Sequence, residues 1–282
     1  MPNTAILLVN CKDKKGLVAG ITGFIYENKG NIINLDQYTN CVEEKFFMRV
    51  EWEMKGFSLS KDKLRKTLPE LAKKLGIDFQ LHFSDEKLNV AIMVSKYDHC
   101  LFDLLLRKRS GELNINIPVI ISNHSELKDV AKMFDIEFVN LPIKGNKIAQ
   151  EKQALKVLGD NNIDFIVLAR YMQILSGSFI KEYKDKIINV HHSFLPAFSG
   201  AKPYHQAFKK GVKVIGATSH FVTAELDAGP IIEQETIKIT HKDSVDDLIM
   251  KGRDLERKVL AQAVQLFSQH RLFIDKQRTI IL

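Results

Sequence analysis

The sequence predicts an α/β protein in two parts: an amino-terminal ferredoxin-like βαββαβ unit over residues 1–84 and a mostly parallel, Rossmann-like sheet domain over residues 85–282. Three observations lead there. Strand and helix patterns over residues 4–83 fall in the order β, α, β, β, α, β, that of the split βαβ unit. A polar break, Ser84-Asp85-Glu86-Lys87, follows. Beyond it, apolar runs of strand length alternate with helix-period segments, as in a parallel sheet covered on both faces. A chain of 282 residues is long enough for two such cores.

In the first part, residues 4–10 read as a strand, and residues 17–28 repeat apolar positions at helical spacing. Two strand-like runs, 31–41 and 45–54, are separated by Val-Glu-Glu, a hairpin signal. Ser60 opens a helix with Leu64, Leu68, Leu71, Ala72 and Leu75 on one face, Gly76 stops it, and residues 77–83 form a last strand. In the second part the strands are 88–94, 115–121, 137–141 and the apolar run 164–169. Helices starting at 98, 126 and 147 separate them. The strand ending near Asn189 comes next, then an added strand pair at 212–222 and 231–239 and a long helix over 244–270.

Composition narrows the class. With 45% hydrophobic and 27% charged residues, the chain reads as an ordinary globular protein. The net charge of +7 favours anionic partners, but the basic residues are scattered in short pairs and triplets, which argues against nucleic acid. Cys11, Cys41 and Cys100 form no CxxC, so neither a disulfide framework nor a zinc ribbon is expected, and a reducing cytoplasm fits. No apolar stretch is long enough to span a membrane, and the five apolar residues 5–9 are too few for a secretory leader.

The chemistry concentrates in residues 186–196, Lys-Ile-Ile-Asn-Val-His-His-Ser-Phe-Leu-Pro. In a strand, Asn189 and His191 project to the same face, roughly 7 Å apart. A polar pair at the carboxyl end of a buried strand sits where open α/β sheets bind ligands. Downstream, Leu226-Asp227-Ala228-Gly229-Pro230 brings a carboxylate to a turn. Together an amide, an imidazole and a carboxylate can supply a hydrogen-bond donor, a proton shuttle and an anchor for an imidazolium.

The paired motifs Asn-Val-His-His-Ser-Phe-Leu-Pro and Leu-Asp-Ala-Gly-Pro-Ile-Ile resemble the formyl-transfer family that handles 10-formyltetrahydrofolate, over residues 88–282. The resemblance implies a catalytic trio of Asn189, His191 and Asp227. It also implies a folate pocket at Arg170, Tyr171, Met172, Gln173, Ile174 and Leu175, with Val222 and Leu226 across from it. Related pockets often carry Arg where this chain has Gln173, so the glutamate tail of the folate would look to Arg170 or a nearby lysine. The segment Asp13-Lys-Lys-Gly16-Leu17-Val-Ala-Gly20 resembles the loop and first helix of an ACT regulatory domain. That implies an amino-acid effector, glycine or methionine, at Asp13, Gly16, Leu17 and Gly20, and a homo-oligomer.

An ACT unit fused to a folate formyl domain points to the hydrolytic branch of the family, which releases formate and tetrahydrofolate, balances the one-carbon pool and supplies formate to purine synthesis. It needs neither cofactor nor metal. One residue pattern separates hydrolysis from transfer. Family members that formylate a phosphorylated amine resemble one another in a glycine-rich loop after the first strand, where backbone N–H groups cradle the phosphate. Here that loop reads Ser95-Lys-Tyr-Asp-His-Cys100, without glycine, and Tyr97 and His99 are bulky enough to occupy the acceptor's place. The alternatives are transfer to a small amine, a non-catalytic amino-acid sensor, and a zinc hydrolase using His191, His192, His205, His220 and Asp227. Against zinc stand the absence of HExxH and the expectation that adjacent His191 and His192 point to opposite faces of an extended chain.

Overall fold

The computed structural model describes residues 3–143, 145–197 and 203–282. It divides into two compact units. One takes the chain up to Lys87 together with Gln269–Phe273 and Ile280–Leu282; the other takes Leu88–Ser268 and Ile274–Thr279.

The first unit contains β1 (Thr4–Lys12), α1 (Leu17–Glu27), β2 (Ile32–Asn40), β3 (Lys45–Glu53), α2 (Lys61–Leu75) and β4 (Asp78–Phe83). Its sheet is antiparallel in the order β2-β3-β1-β4, the ferredoxin-like arrangement that the element order predicts. The caps form as read: Ser60 Oγ accepts from the Lys63 N–H, and Gly76 closes α2 in the left-handed region, φ 55. β1 is apolar without alternation because both its faces are covered. Period-two geometry sends Ala5, Leu7 and Val9 into a core with Leu17, Ile21, Ile25, Leu64 and Leu68 from the helices. Ile6 and Leu8 point the other way, against Phe47, Phe273 and Leu282. The sequence reading of one uninterrupted second domain over 85–282 does not anticipate this grouping of the last residues with the first unit.

In the second unit the chain runs β5 (Leu88–Val94), α3 (His99–Ser110), β6 (Ile115–Ser122), α4 (Lys128–Met133), β7 (Glu137–Asn140), α5 (Lys147–Asp160), β8 (Phe165–Leu168), α6 (Gly177–Glu182) and β9 (Ile187–His191). It continues with α7 (Pro203–Lys210), β10 (Val214–Phe221), β11 (Ile231–Lys238) and α8 (Val245–Ser268), and the chain ends in β12 (Leu272–Asp275) and β13 (Arg278–Ile281), whose residues are divided between the two units. The sheet order is β12-β13-β11-β10-β9-β8-β5-β6-β7, parallel from β9 through β7. β10 and β11 then add antiparallel strands.

From β5 the chain steps outward to β6 and β7, then returns to lay β8 on the other side of β5. That reversal opens a crevice at the carboxyl ends of β5 and β8, where ligands bind in such sheets. Two short helices, α6 and α7, and the β12–β13 hairpin lie outside the sequence reading. Helices of six and eight residues show too few turns for a periodicity signal, and the hairpin's four-residue strands are shorter than the alternation that marks a strand. No helix among the described residues is long and apolar enough to cross a membrane.

Leu64 is fully buried between α2 and the first sheet. Leu64→Ala is expected to lower the unfolding free energy of the protein by about 2–5 kcal/mol, read from the urea unfolding transition.

Candidate functional site

β9 carries the polar pair to the crevice. Its apolar residues Ile187, Ile188 and Val190 are buried in the sheet, which fixes the strand, and Asn189 and His191 project from its end. β10 runs antiparallel beside it and places His220 directly opposite Asn189. The Asn189 amide Nδ2 lies 3.2 Å from His220 Nε2. His220 Nδ1 lies 2.9 Å from the Phe221 carbonyl oxygen, to which it donates. That bond leaves Nε2 as the acceptor in the neutral ring, so one Asn189 amide hydrogen is held by His220 while the other stays available. Burial keeps the His220 pKa below its ordinary value, which favours this neutral form.

Asp227 reaches the pair from the turn between β10 and β11. Its backbone adopts φ 55, and two residues on, Gly229 passes so close to the chain that a Cβ would lie 1.8 Å from the Phe221 carbonyl oxygen. Only glycine permits that approach, which folds the turn back over the strand end. Asp227 Oδ2 then accepts from His191 Nδ1 at 3.1 Å, and Oδ1 lies 3.7 Å from His220 Nε2. Burial alone would raise the Asp227 carboxyl; the His191 hydrogen bond and the neighbouring imidazoles outweigh it and hold the carboxyl below the ordinary carboxylate value. His191 is buried, and among the described residues its Nε2 has no hydrogen-bond partner.

These residues line one cavity of about 580 Å³. Arg170, Tyr171, Met172, Gln173, Ile174, Leu175, Val222 and Leu226 line it as well, so the structure brings every expected pocket residue to the trio. Their roles divide. Tyr171 and Leu175 belong to the buried core, with Tyr171 Oη accepting from Gln150 Nε2 at 3.0 Å. Met172, Ile174 and Leu226 expose apolar side chains at the rim. The segment is held by its backbone: the Met172 N–H donates to Ser95 Oγ at 3.0 Å, and Ser95 donates to Asn123 Oδ1 at 2.7 Å. Arg170 is buried rather than at the rim, with its guanidinium 4.9 Å from the Tyr97 ring. Lys147 is the nearby lysine, donating to the Ile174 carbonyl oxygen.

Opposite the rim lies a buried polar cluster that the sequence reading missed in large part. Glu256 of α8, 1% exposed, accepts from Tyr204 Oη at 2.7 Å and pairs with His99 Nε2 at 2.8 Å. Arg170 Nη1 lies 3.4 Å from Oε2, the same oxygen that His99 engages, while Tyr204 takes Oε1. Burial would raise the Glu256 carboxyl; the His99 bond and the Arg170 charge lower it overall. α8 admits Tyr204 because position 252 is glycine, where a Cβ would lie 2.0 Å from Tyr204 Oη. A signal was present: Glu256 interrupts an otherwise apolar buried stripe that includes Leu248, Leu255, Val259 and Leu260.

His191 and His192 do not point to opposite faces; their ring centroids are 5.2 Å apart and both line the cavity. β9 ends at His191, so strand alternation no longer governs His192. The zinc set of His191, His192, His205, His220 and Asp227 is not a ligand cluster either. Among the described residues the cluster at metal-ligand spacing is His99, Cys100 and Glu256, in which Glu256 pairs with His99 and Tyr204.

The candidate effector residues take structural parts. Gly16 precedes α1 with φ 90, and Leu17 is buried in the first core. Gly20 faces α2, where a Cβ would lie 2.9 Å from Leu75 Cδ2. The Asp13 N–H donates to the Glu44 carbonyl oxygen at 2.7 Å.

Comparison with known proteins bears directly on this geometry. The model of the Formyl transferase family matches residues 88–264. A formyltetrahydrofolate deformylase of Synechocystis sp. is 53% identical over 279 residues, covering 99% of this chain and 98% of that protein. The chain belongs to the formyltetrahydrofolate deformylase family. The likeness extends to solved structures: the deformylase of Pseudomonas syringae pv. tomato superposes with a TM-score of 0.98 at 37% identity, covering 100% of this chain and 95% of that one. A glycinamide ribonucleotide transformylase of Symbiobacterium toebii gives a TM-score of 0.68 at 29% identity, covering 72% of this chain and 98% of that one. The expected fold class, a small antiparallel sheet unit followed by a mostly parallel formyltransferase-type domain, agrees with these deformylase structures.

Burial, then the Arg170 charge, lowers the His192 pKa to about 3 from 6.5. Between those values the unfolded chain binds a proton that the folded protein does not, so stability falls as pH drops through that window. Asp227 acts in the same direction lower down: its stabilisation is present above the unfolded carboxylate pKa and is lost as pH falls through its depressed folded value. His192→Gln is expected to remove about one proton from the acid slope of stability, measured as the urea midpoint against pH.

Proposed function

We propose that the protein hydrolyses 10-formyltetrahydrofolate to formate and tetrahydrofolate. The observation that carries the reading is the convergence of Asn189, His191 and Asp227 at one wall of a cavity whose rim is apolar enough for the folate rings. With Asp227 holding Nδ1–H, the Nε2 of His191 takes a proton from water as the water oxygen bonds to the formyl carbon. The carbonyl electron pair moves onto its oxygen, which accepts from the Asn189 amide. Collapse breaks the bond between carbon and N10, His191 returns the proton to N10, and tetrahydrofolate leaves with formic acid, which gives its remaining acidic proton to solvent and becomes formate. Asp227 keeps the imidazole in the right tautomer and stabilises it while protonated.

Water as acceptor is supported by the filled acceptor side. Tyr97 and His99 from the glycine-free loop, with Tyr204 and Glu256, stand where a larger amine would approach. Neither cofactor nor metal enters the scheme. The apolar rim of Met172, Ile174 and Leu226 receives the folate rings.

Protein incubated with 10-formyltetrahydrofolate alone is expected to release formate and tetrahydrofolate in equal amounts; formate that appears only when an amine is added contradicts hydrolysis. Asn189→Ala is expected to lower kcat by about 10²- to 10³-fold, and Asp227→Asn by about 10²- to 10⁴-fold.

The first unit carries the regulatory part of the proposal. Its βαββαβ order and the turn at Asp13 to Gly16 support an amino-acid effector site, with glycine or methionine as ligand, and pairing of chains into a homo-oligomer. Because Leu17 and Gly20 serve packing, ligand contact falls to Asp13 and Gly16. Equilibrium dialysis with the two amino acids is expected to show saturable binding that Asp13→Ala weakens.

A further inference from the structure

Helix α5 packs behind the segment 171–176, which supplies one wall of the cavity. Ala154 and Leu158 of the helix share a buried core with Tyr171 and Leu175. Two polar residues of α5, Gln150 and Glu151, are buried as well, each 5% exposed. The Gln150 amide donates to the Leu141 carbonyl oxygen at 3.1 Å and to Tyr171 Oη at 3.0 Å. Glu151 accepts from the Ser176 N–H at 2.9 Å through Oε1 and from the Ser176 hydroxyl through Oε2. Lys147, one turn earlier, lies 3.8 Å from the same carboxylate and donates to the Ile174 carbonyl oxygen. Among the described residues that line the cavity, Met172, Gln173 and Ile174 come from the held segment and none comes from α5.

Burying a carboxylate is unfavourable unless it is paired and hydrogen-bonded, so a helix position that needs only packing is better served by an apolar residue. Glu151 takes both donors of Ser176, whose hydroxyl also accepts from the Phe179 N–H at 3.2 Å as the cap of α6. These bonds fix the end of the segment, Gln150 fixes its start, and Lys147 holds its middle. With the backbone held from behind, Met172 and Ile174 present apolar side chains to the cavity. We infer that Glu151, together with Gln150, is a positioning residue for folate binding, acting through Ser176 and Tyr171 on a wall that neither residue lines. The inference rests on the reading of the cavity as a folate site. A role confined to helix packing would lower stability and leave substrate affinity where it was.

Calorimetric titration of the full-length protein with tetrahydrofolate, alongside steady-state kinetics with 10-formyltetrahydrofolate, tests the role. Glu151→Ala is expected to raise the tetrahydrofolate Kd and the substrate KM together by about tenfold, with kcat within about threefold of wild type. Glu151→Gln keeps an acceptor for the Ser176 N–H and is expected to restore most of the affinity. Should Glu151→Ala fail to fold, Gln150→Leu, which releases Tyr171, is expected to show the same split between KM and kcat. Affinity within about twofold of wild type in the folded variant, or a loss carried by kcat with KM unchanged, overturns the inference. So does a wild-type protein that binds no tetrahydrofolate. A wild type that binds tetrahydrofolate but releases no formate counts against the reaction alone, and the calorimetric comparison still decides the role of Glu151.

Discussion

The contact between His191 Nδ1 and Asp227 Oδ2, 3.1 Å long, joins two segments that approach the site by different routes. His191 arrives on a parallel strand packed on both faces, and Asp227 on a turn folded back by the close passage of Gly229. The added antiparallel strand β10 serves both: its register sets His220 opposite Asn189, and its end launches the turn. One tautomer follows from this arrangement: Asp227 occupies Nδ1, which leaves Nε2 as the free ring nitrogen, and His220 orients the amide beside it.

A second layer sits behind that pair. Glu256 brings a buried negative charge to the cavity wall, where His99, Tyr204 and Arg170 compensate it. Removing one partner from such a group costs more than the group contributes whole, because the remaining charge stays buried. The cluster ties the loop after β5, the end of β8, helix α7 and helix α8 together around the cavity. It also gives the absence of glycine in the Ser95 to Cys100 loop a physical content: the side chains of Tyr97 and His99 line the cavity there.

Much of this was legible in the residues. The βαββαβ order, the helix caps at Ser60 and Gly76, the apolar run of β8 and the polar end of β9 are local features, and local features survive in any context that buries the apolar face. The cavity-lining set from Arg170 to Leu226 came from family resemblance and met the trio in space. His192 was misread because a strand rule was extended one residue past the strand's end. The parts played by His220, Glu256 and Tyr204 were not legible, since each depends on a neighbour 31 to 157 residues away in the chain.

What the sequence by itself determined is the class of chemistry and the two sheet units, because residue type and periodicity act within a few residues of the chain. What only the tertiary structure decided is which groups share protons and charge. Gly20, Gly229 and Gly252 look alike as letters; one seats a helix, one folds the turn that carries Asp227 and one admits a tyrosine to a buried carboxylate. Arg170, expected from the resemblance in the folate pocket, does line the cavity, and only the fold shows its guanidinium against Tyr97 and 3.4 Å from Glu256.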